Sequence, residues 1–361
     1  MSGVNIVIPI WNFGKAGGIR VLSKLANAFH MAGNNVLIIT YYKATKPYFP
    51  VDCTIQYVDE KGDAVNPIEP VEIKNIVRNK YEDFLKYKSL KNALNRLSND
   101  YDIALANANK TAFSVAHSKI KERFYYVQAY EVWYKGKLGW LYNLIARRSY
   151  KLNLIKIVNA DLYKNYKEIH TDYVVPPGLD LSLYYPKGVS AYWNKKRPLI
   201  IGHIGREEEW KGSRETAEAI GILQKEGVRL EYRVAFNAPK DGLCSYELVK
   251  PDGDNNLSEY YRSIDVLVAP GRIQLGSIHY PVIEAMACGT PVITTGYYPA
   301  TSENAYIVGV NSPNDIANAI KDIMSDYSLA LKKVEISKEL IKEFDWKYVS
   351  KKMLDIINEN L

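Results

Sequence analysis

The sequence reads as an α/β protein made of two doubly wound parallel-sheet domains. Three observations carry that reading. Short Val- and Ile-rich runs alternate with longer stretches of helical spacing, the pattern of strand–helix–strand units. The alternation stops in a turn-rich stretch, VVPPGLDLSLYYP (174–186), and then restarts. The chain has 361 residues, long for one core and comfortable for two.

The first half supplies VNIVIPI (4–10), NVLIIT (35–40), DIALAN (102–107), RFYYVQ (123–128) and IKIVNA (155–160) as buried strands. Between the first two lies IRVLSKLANAFHMAG (19–33). Its Leu22, Leu25, Ala26 and Phe29 fall at helical spacing, and Gly33 is a stop. After the linker come RPLIIGHIG (197–205), RLEYRVAF (229–236), DVLVAP (265–270), PVITTG (291–296) and AYIVGV (305–310), again strands with helices between them. No sequence repeat relates the two halves. The tail FDWKYVSKKMLDIINENL is one amphipathic helix. The expected domains are 1–180 and 187–345, with a helix at 346–361. Two such sheets facing each other create a cleft at their C-terminal strand ends, where ligands bind.

Composition bounds the function. The chain is 47% hydrophobic and 24% charged, as in soluble globular proteins. No apolar run reaches the ~18 residues that a membrane span needs. The opening VNIVIPIW is too short for a signal peptide and lacks a basic start, so a cytoplasmic location is expected. Cys53, Cys244 and Cys288 lie far apart with no CxxC, which argues against a disulfide framework or a zinc site. The five histidines show no metal-ligand spacing either. A net charge of +7 suits an anionic partner, whether nucleotide, phospholipid or nucleic acid, and equally suits solubility alone. The 29 tyrosines have no functional account at this level.

Chemistry is expected in the strand-end loops. WNFGKAGGIRVL puts Gly14, Gly17 and Gly18 before a helix N-terminus, where backbone N–H groups and the helix dipole favour an anion; such glycines also serve simply as turns. HIGREEEWKGSRETAEAI puts Arg206 and Lys211 before a helix. They are either a diphosphate clamp or loop charges paired with Glu207 to Glu209. In SIHYPVIEAMACGTPVITTG, Pro281 starts and Gly289 ends a helix of about two turns. Val282, Ile283 and Met286 face the core, while Glu284 falls on another side near the helix start. It can accept both hydroxyls of a ribose or act as a capping carboxylate. The DGD at 252–254 sits in a polar loop and reads as a turn with an N-cap rather than a metal site.

In order, these pieces resemble the retaining glycosyltransferases of family four, the glycosyl transferases group 1 type with the GT-B fold. The resemblance rests on AGGIRVLSKLANAF, VVPPGLDLSLYYP, GREEEWKG, LSEYYRSIDVLVAP, YPVIEAMACGTPVITT and FDWKYVSKKMLDII, and it covers nearly the whole chain. It implies two Rossmann-like domains and a C-terminal helix crossing back to the first. The N-terminal domain would take the acceptor and the C-terminal one a nucleotide-sugar donor, with no metal or other cofactor. Arg206 and Lys211 match the pair that neutralises the donor diphosphate. Glu284 matches the ribose carboxylate, Gly17 and Gly18 the loop approaching the diphosphate or sugar, and Gly276, Ser277 and Ile278 the donor loop.

Two positions depart from the family pattern. Its E-x7-E would place a first Glu at 276, which is Gly276; Gln274 and Ser277 are the polar groups nearby. A His expected after a strand of the first domain is Gln128, in FYYVQAYE. Gln128 can hydrogen-bond a sugar hydroxyl but cannot serve as an acid or base near neutral pH. Tyr130 and Glu131 are weaker candidates, and His117 reads as a helix-surface histidine. No nucleophile can be named, and front-face retaining chemistry needs none. On the acceptor side, residues 132–156 carry six basic residues and no acidic one, interleaved with Trp133, Tyr134, Trp140, Tyr142 and Tyr150. Leu141, Leu144, Ile145, Leu152 and Ile155 fall at helical spacings. The segment could lie on an anionic membrane, suiting a lipid-linked acceptor, or be a core-packed helix with a basic outer side. The expected activity is transfer of a sugar to a glycan or lipid-linked acceptor in glycoconjugate biosynthesis. The alternatives are a catalytically silent binding protein on the same scaffold and a nucleotide-sugar epimerase. Nucleic-acid binding is not expected, because the basic residues are dispersed and no recognition motif appears.

Overall fold

The structure is a computed structural model that describes residues 3–69, 76–136, 138–239 and 242–361. The chain divides into two compact units, 1–178 with 346–361, and 179–345.

In the first unit, β1 (Asn5–Ile10), α1 (Gly17–Met31), β2 (Asn35–Tyr41), β3 (Thr54–Val58), α2 (Ile76–Arg96) and β4 (Ile103–Ala106) follow one another. They lead into α3 (Asn109–Ala116), β5 (Glu122–Val127), α4 (Gly139–Ser149) and β6 (Ile155–Val158). All strand pairs are parallel, in the order β3-β2-β1-β4-β5-β6. The Val- and Ile-rich runs lie in the middle of this sheet. Ile6, Val7, Ile8, Ile38, Ile39, Ile103 and Leu105 are fully or almost fully buried, which is why these strands are apolar on both faces.

The second unit repeats the plan with β7 (Leu199–Gly205), α5 (Ser213–Lys225), β8 (Leu230–Phe236), β9 (Glu247–Val249), α6 (Gly253–Ser263) and β10 (Val266–Ala269). After these come α7 (Tyr280–Ala287), β11 (Val292–Thr294), β12 (Tyr306–Ile307), α8 (Pro313–Ser325) and α9 (Tyr327–Ile341). Its order is β12-β11-β10-β7-β8-β9, again parallel throughout. Numbered within its own unit, each sheet has the same order, 3-2-1-4-5-6. The chain direction across each sheet therefore reverses between its first and fourth strands, β1/β4 and β7/β10. Ligand sites in such sheets lie outside the C-terminal ends of those two strands. The last helix, α10 (Trp346–Glu359), packs on α1 in the first unit.

Two expectations need correction. The apolar positions of 132–156 do not form one helix: α4 ends at Ser149, and Ile155 begins β6. Lys137 of that stretch lies outside the described residues. Asp252 does occupy the N-cap position of α6, but its side chain makes no capping hydrogen bond.

Candidate functional site

In the second unit, a small crevice opens at the switch point. His203 and Ile204 at the end of β7, Arg206 and Lys211 beyond it, Val268 and Ala269 of β10, and His279 and Pro281 at the start of α7 line it. The backbone geometry there is tightly determined. Gly212 has φ 79°, and a Cβ on it would lie 2.3 Å from the carbonyl oxygen of Pro270. Only glycine fits, so the Lys-Gly pair of the loop is a steric requirement for starting α5 against β10.

A hydrogen-bond chain then fixes Arg206. His203 is buried, and its Nδ1 lies 2.8 Å from the Val268 carbonyl, which can only accept, so Nδ1 carries the proton. Nε2 is then an acceptor, 3.0 Å from the Ser213 hydroxyl. Ser213 in turn accepts the Arg206 backbone N–H at 3.1 Å. Burial first, and then the nearby Arg206 charge, bring the His203 pKa down to about 4 against the opposing pull of the Val268 backbone bond, so this neutral tautomer persists at neutral pH.

Arg206 is exposed and Lys211 half-buried. Desolvation, and then repulsion from Arg206, lower the Lys211 pKa, outweighing the opposing attraction of Glu208. Among the described residues, neither cation makes an ion pair, so the alternative of charges paired with Glu207 to Glu209 is not the arrangement found. Burial and the charges of Lys211, Arg206 and His203 push His279 well below the ordinary histidine value.

Glu284 is not presented on a polar side of α7. Residues Pro281 to Ala287 are all buried, and Glu284 is 2% exposed. A carboxylate there needs a partner, and the Tyr261 hydroxyl donates to its Oε2 at 2.9 Å. It lies beyond the first helical turn, so it is not a cap. It is outside the crevice wall, but three residues after Pro281 and therefore on the same face of α7. In the preceding loop, Gly276 has φ 86° and donates its N–H to the Gly296 carbonyl at 2.9 Å. A glutamate would be strained in that left-handed backbone, so the loop is shaped for glycine. Ser277 is buried, and Ile278 pairs with Tyr298 across an isolated bridge.

In the first unit, Gly17 begins α1 and is exposed. Gln128 lies just past β5, and its Nε2 donates to the Gly18 carbonyl at 3.2 Å. The Asn159 side chain donates to the Gln128 carbonyl at 2.9 Å. Residues 110 apart in sequence thus meet. Glu131 is half-buried: it accepts the Asn109 N–H at 3.0 Å, and desolvation raises its pKa to about 7. A second pocket, of about 360 Å³, lies at the β1/β4 switch point. Trp11, Phe84, Tyr87, Phe113, Tyr134 and Tyr142 supply most of its wall, with Lys110 and Arg148 as cations. His117 lines it and lies 2.9 Å from the Tyr87 hydroxyl. Around it, Trp133, Trp140, Leu144 and Ile145 are exposed. No group of three or more His, Cys, Asp or Glu among the described residues is placed to hold a metal.

His203, Ser213 and His279 were missed by sequence reasoning. The available signals were a histidine in the otherwise apolar strand LIIGHIG and another directly before a Pro-started helix.

Comparison with known proteins agrees with this layout. Residues 198–326 match the family model described as glycosyl transferases group 1. A D-inositol 3-phosphate glycosyltransferase of Paenarthrobacter aurescens (strain TC1) is 28% identical over 177 residues, 42% of this chain and 43% of that protein. One of the same description from Corynebacterium jeikeium (strain K411) is 22% identical over 404 residues, 92% of this chain and 89% of that protein. Among solved structures, sucrose-phosphate synthase from Thermosynechococcus elongatus superposes with a TM-score of 0.75 at 16% identity, covering 99% of this chain and 98% of that one. Anabaena Alr3699/HepE in complex with UDP-glucose gives 0.70 at 13% identity, covering 98% and 99%.

Proposed function

For this chain, a glycosyltransferase of the group 1 type with the GT-B fold, we propose a retaining, metal-independent transfer from a nucleoside-diphosphate sugar to a glycan or lipid-linked acceptor. The observation that carries the reading is the crevice of the second unit, where two cations without an ion pair among the described residues meet a helix start at the switch point. Breaking the anomeric bond leaves negative charge on the departing diphosphate. Arg206 and Lys211 stabilise it where it forms, and their fixed positions cost no reorganisation during reaction. The two cations take the neutralising role that a divalent ion has in other transferases. That the solved Anabaena neighbour holds UDP-glucose supports a donor of this class.

The ribose is assigned to Glu284, on the crevice-facing side of α7 and oriented by Tyr261. Gly276 to Ile278 form the neighbouring donor loop. Residues 187–345 serve as the donor domain and 1–180 as the acceptor domain, with 346–361 completing the latter. Gly17, Gly18 and Gln128 act on the sugar side; Gln128 offers hydrogen bonds, not a proton. The aromatic pocket, with Arg148 on its wall and Lys110 paired to Asp83 at 2.8 Å, suits an acceptor with an apolar part and an anionic part. The exposed Trp140, Leu144 and Ile145 beside Arg147 and Arg148 suit peripheral contact with an anionic membrane. No helix among the described residues is long and apolar enough to cross one.

The test is calorimetric binding of UDP, GDP, dTDP and ADP without metal to wild type and to Glu284→Ala. One nucleotide is expected to bind tightly to wild type and weakly to the variant. Binding of none would overturn the donor-site reading.

A further inference from the structure

His279 stands out in the second-unit crevice. It is the N-cap residue of α7, yet its side chain makes no capping hydrogen bond. Its Nδ1 is fully buried and has no hydrogen-bond partner among the described residues. Either tautomer leaves that nitrogen unsatisfied, at a cost that a buried polar atom is seldom left to bear. The ring lies against Tyr297, with centroids 4.6 Å apart, and this fixes its direction. The titratable groups facing it are Lys211 and Arg206 from the loop after β7, His203 on β7 and the Tyr297 ring. None of them is a carboxylate. The imidazole is therefore held neutral by burial and by cations in the very crevice it lines.

We infer that His279 is a proton-carrying ligand of the donor diphosphate: an anion entering between Arg206 and Lys211 draws a proton from solvent onto the ring, whose Nδ1–H then binds a phosphate oxygen. Two negative charges beside the ring reverse the electrostatic sign that keeps it neutral. No covalent change is involved; the ring gains one proton on binding and returns it when the diphosphate leaves. His203 does not compete in this window, because its pKa of about 4 keeps it neutral above pH 5. The inference rests on the donor-site reading and adds to it a residue and a pH dependence.

The experiment is calorimetry of the tightest binder among UDP, GDP, dTDP and ADP. It is run in buffers of different ionisation heat between pH 5.5 and 8.5, on wild type and His279→Gln. Proton uptake by wild type should exceed that of the variant by up to about one proton per site near neutral pH. Affinity of the variant should fall roughly ten- to a hundredfold at pH 6 and approach wild type at pH 8.5. Equal uptake and equal pH dependence in both proteins would overturn the role of His279 while leaving the donor site intact. Binding of no nucleotide to wild type would overturn the donor site and this role with it. Should the variant fold poorly, nitrogen-labelled histidine spectra of wild type decide. A ring passing from neutral to imidazolium on nucleotide addition supports the role, and five unchanged rings overturn it.

Discussion

Replacing His203 with asparagine removes a titrating group from the bottom of the crevice while keeping a donor near the Val268 carbonyl. The wild-type imidazole is shifted from an ordinary 6.5 to about 4, chiefly by burial. Below pH 6.5 the unfolded chain binds a proton that the folded chain refuses, so stability falls as pH falls, until the folded group titrates near 4. Between pH 7.5 and 4.5 this one residue costs about 2.5 kcal/mol. The assay is urea unfolding followed by circular dichroism at several pH values in that range. Carboxylates and the other histidines contribute to both proteins, so the difference between the two pH profiles isolates His203. Wild type should lose about 2.5 kcal/mol more than His203→Asn. Superimposable profiles would refute the neutral, buried assignment and the tautomer deduced from it. Wild type gaining on the variant in acid would refute the sign as well. A protonated Nε2 can no longer accept the Ser213 hydroxyl, which is then left to donate to the Arg206 carbonyl at 3.2 Å.

Other substitutions probe the remaining parts of the site. Arg206→Ala and Lys211→Ala should each lower kcat/KM roughly a hundred- to a thousandfold in initial-rate assays; full turnover by both would remove the diphosphate clamp. Gly276→Glu, which restores the family's acidic residue, should cost about 1–3 kcal/mol in unfolding free energy because of the positive φ. An equally stable variant would mean that the loop adapts freely. Tyr261→Phe leaves the buried Glu284 short of a donor with no change of volume, and should cost about 1–3 kcal/mol by urea unfolding; no change in midpoint would show that the hydroxyl is dispensable. Serine at Trp140, Leu144 and Ile145 together should reduce co-sedimentation with anionic vesicles without lowering nucleotide affinity, and unchanged sedimentation would place the membrane surface elsewhere.

What the sequence made legible was whatever local chemistry repeats. Val–Ile runs marked the central strands because parallel strands buried on both faces cannot hide polar residues. β3 (TIQYV) and β9 (ELV) escaped, being edge strands whose side chains are largely half-buried or exposed. The Lys-Gly of the clamp loop and the Pro-started α7 were visible because φ restrictions act within a few residues. The apolar positions of 132–156 misled because the turn at 150–154 that separates α4 from β6 holds no glycine or proline, so two elements shared one apparent periodicity. Contacts made at long range had no local signature. Gln128 and Gly18 are 110 residues apart, and His279 meets Arg206 across the switch point. Resemblance could suggest the first of these meetings, but neither follows from spacing. Glu284 shows the same limit: helical periodicity put it on a separate side, whereas it is buried and takes a hydrogen bond from Tyr261 of α6.

The case for an anion in the second unit is strongest when its other cations are counted beside the crevice. Arg197 makes a two-pronged pair with Asp265, 2.8 Å at one contact. Arg272 pairs with Glu215, Arg233 with Glu247 and Lys338 with Glu335. This unit therefore pairs many of the positive groups it draws towards its core or along its strands, as the cost of an uncompensated charge requires. Lys187 is buried without a carboxylate pair but donates to the Ile264 carbonyl; Arg206 and Lys211 stand together without an ion pair among the described residues, on a loop fixed by a glycine that no other residue can replace. Glu208 is close enough to raise the Lys211 pKa but does not offset burial and the Arg206 charge. A folded chain that leaves the half-buried Lys211, beside the Arg206 charge, and an unsatisfied imidazole at the end of the unit's first strand gives up stability there. That stability is recovered only when something negative enters, and binding of the diphosphate is therefore coupled to the stability of the unit that holds it.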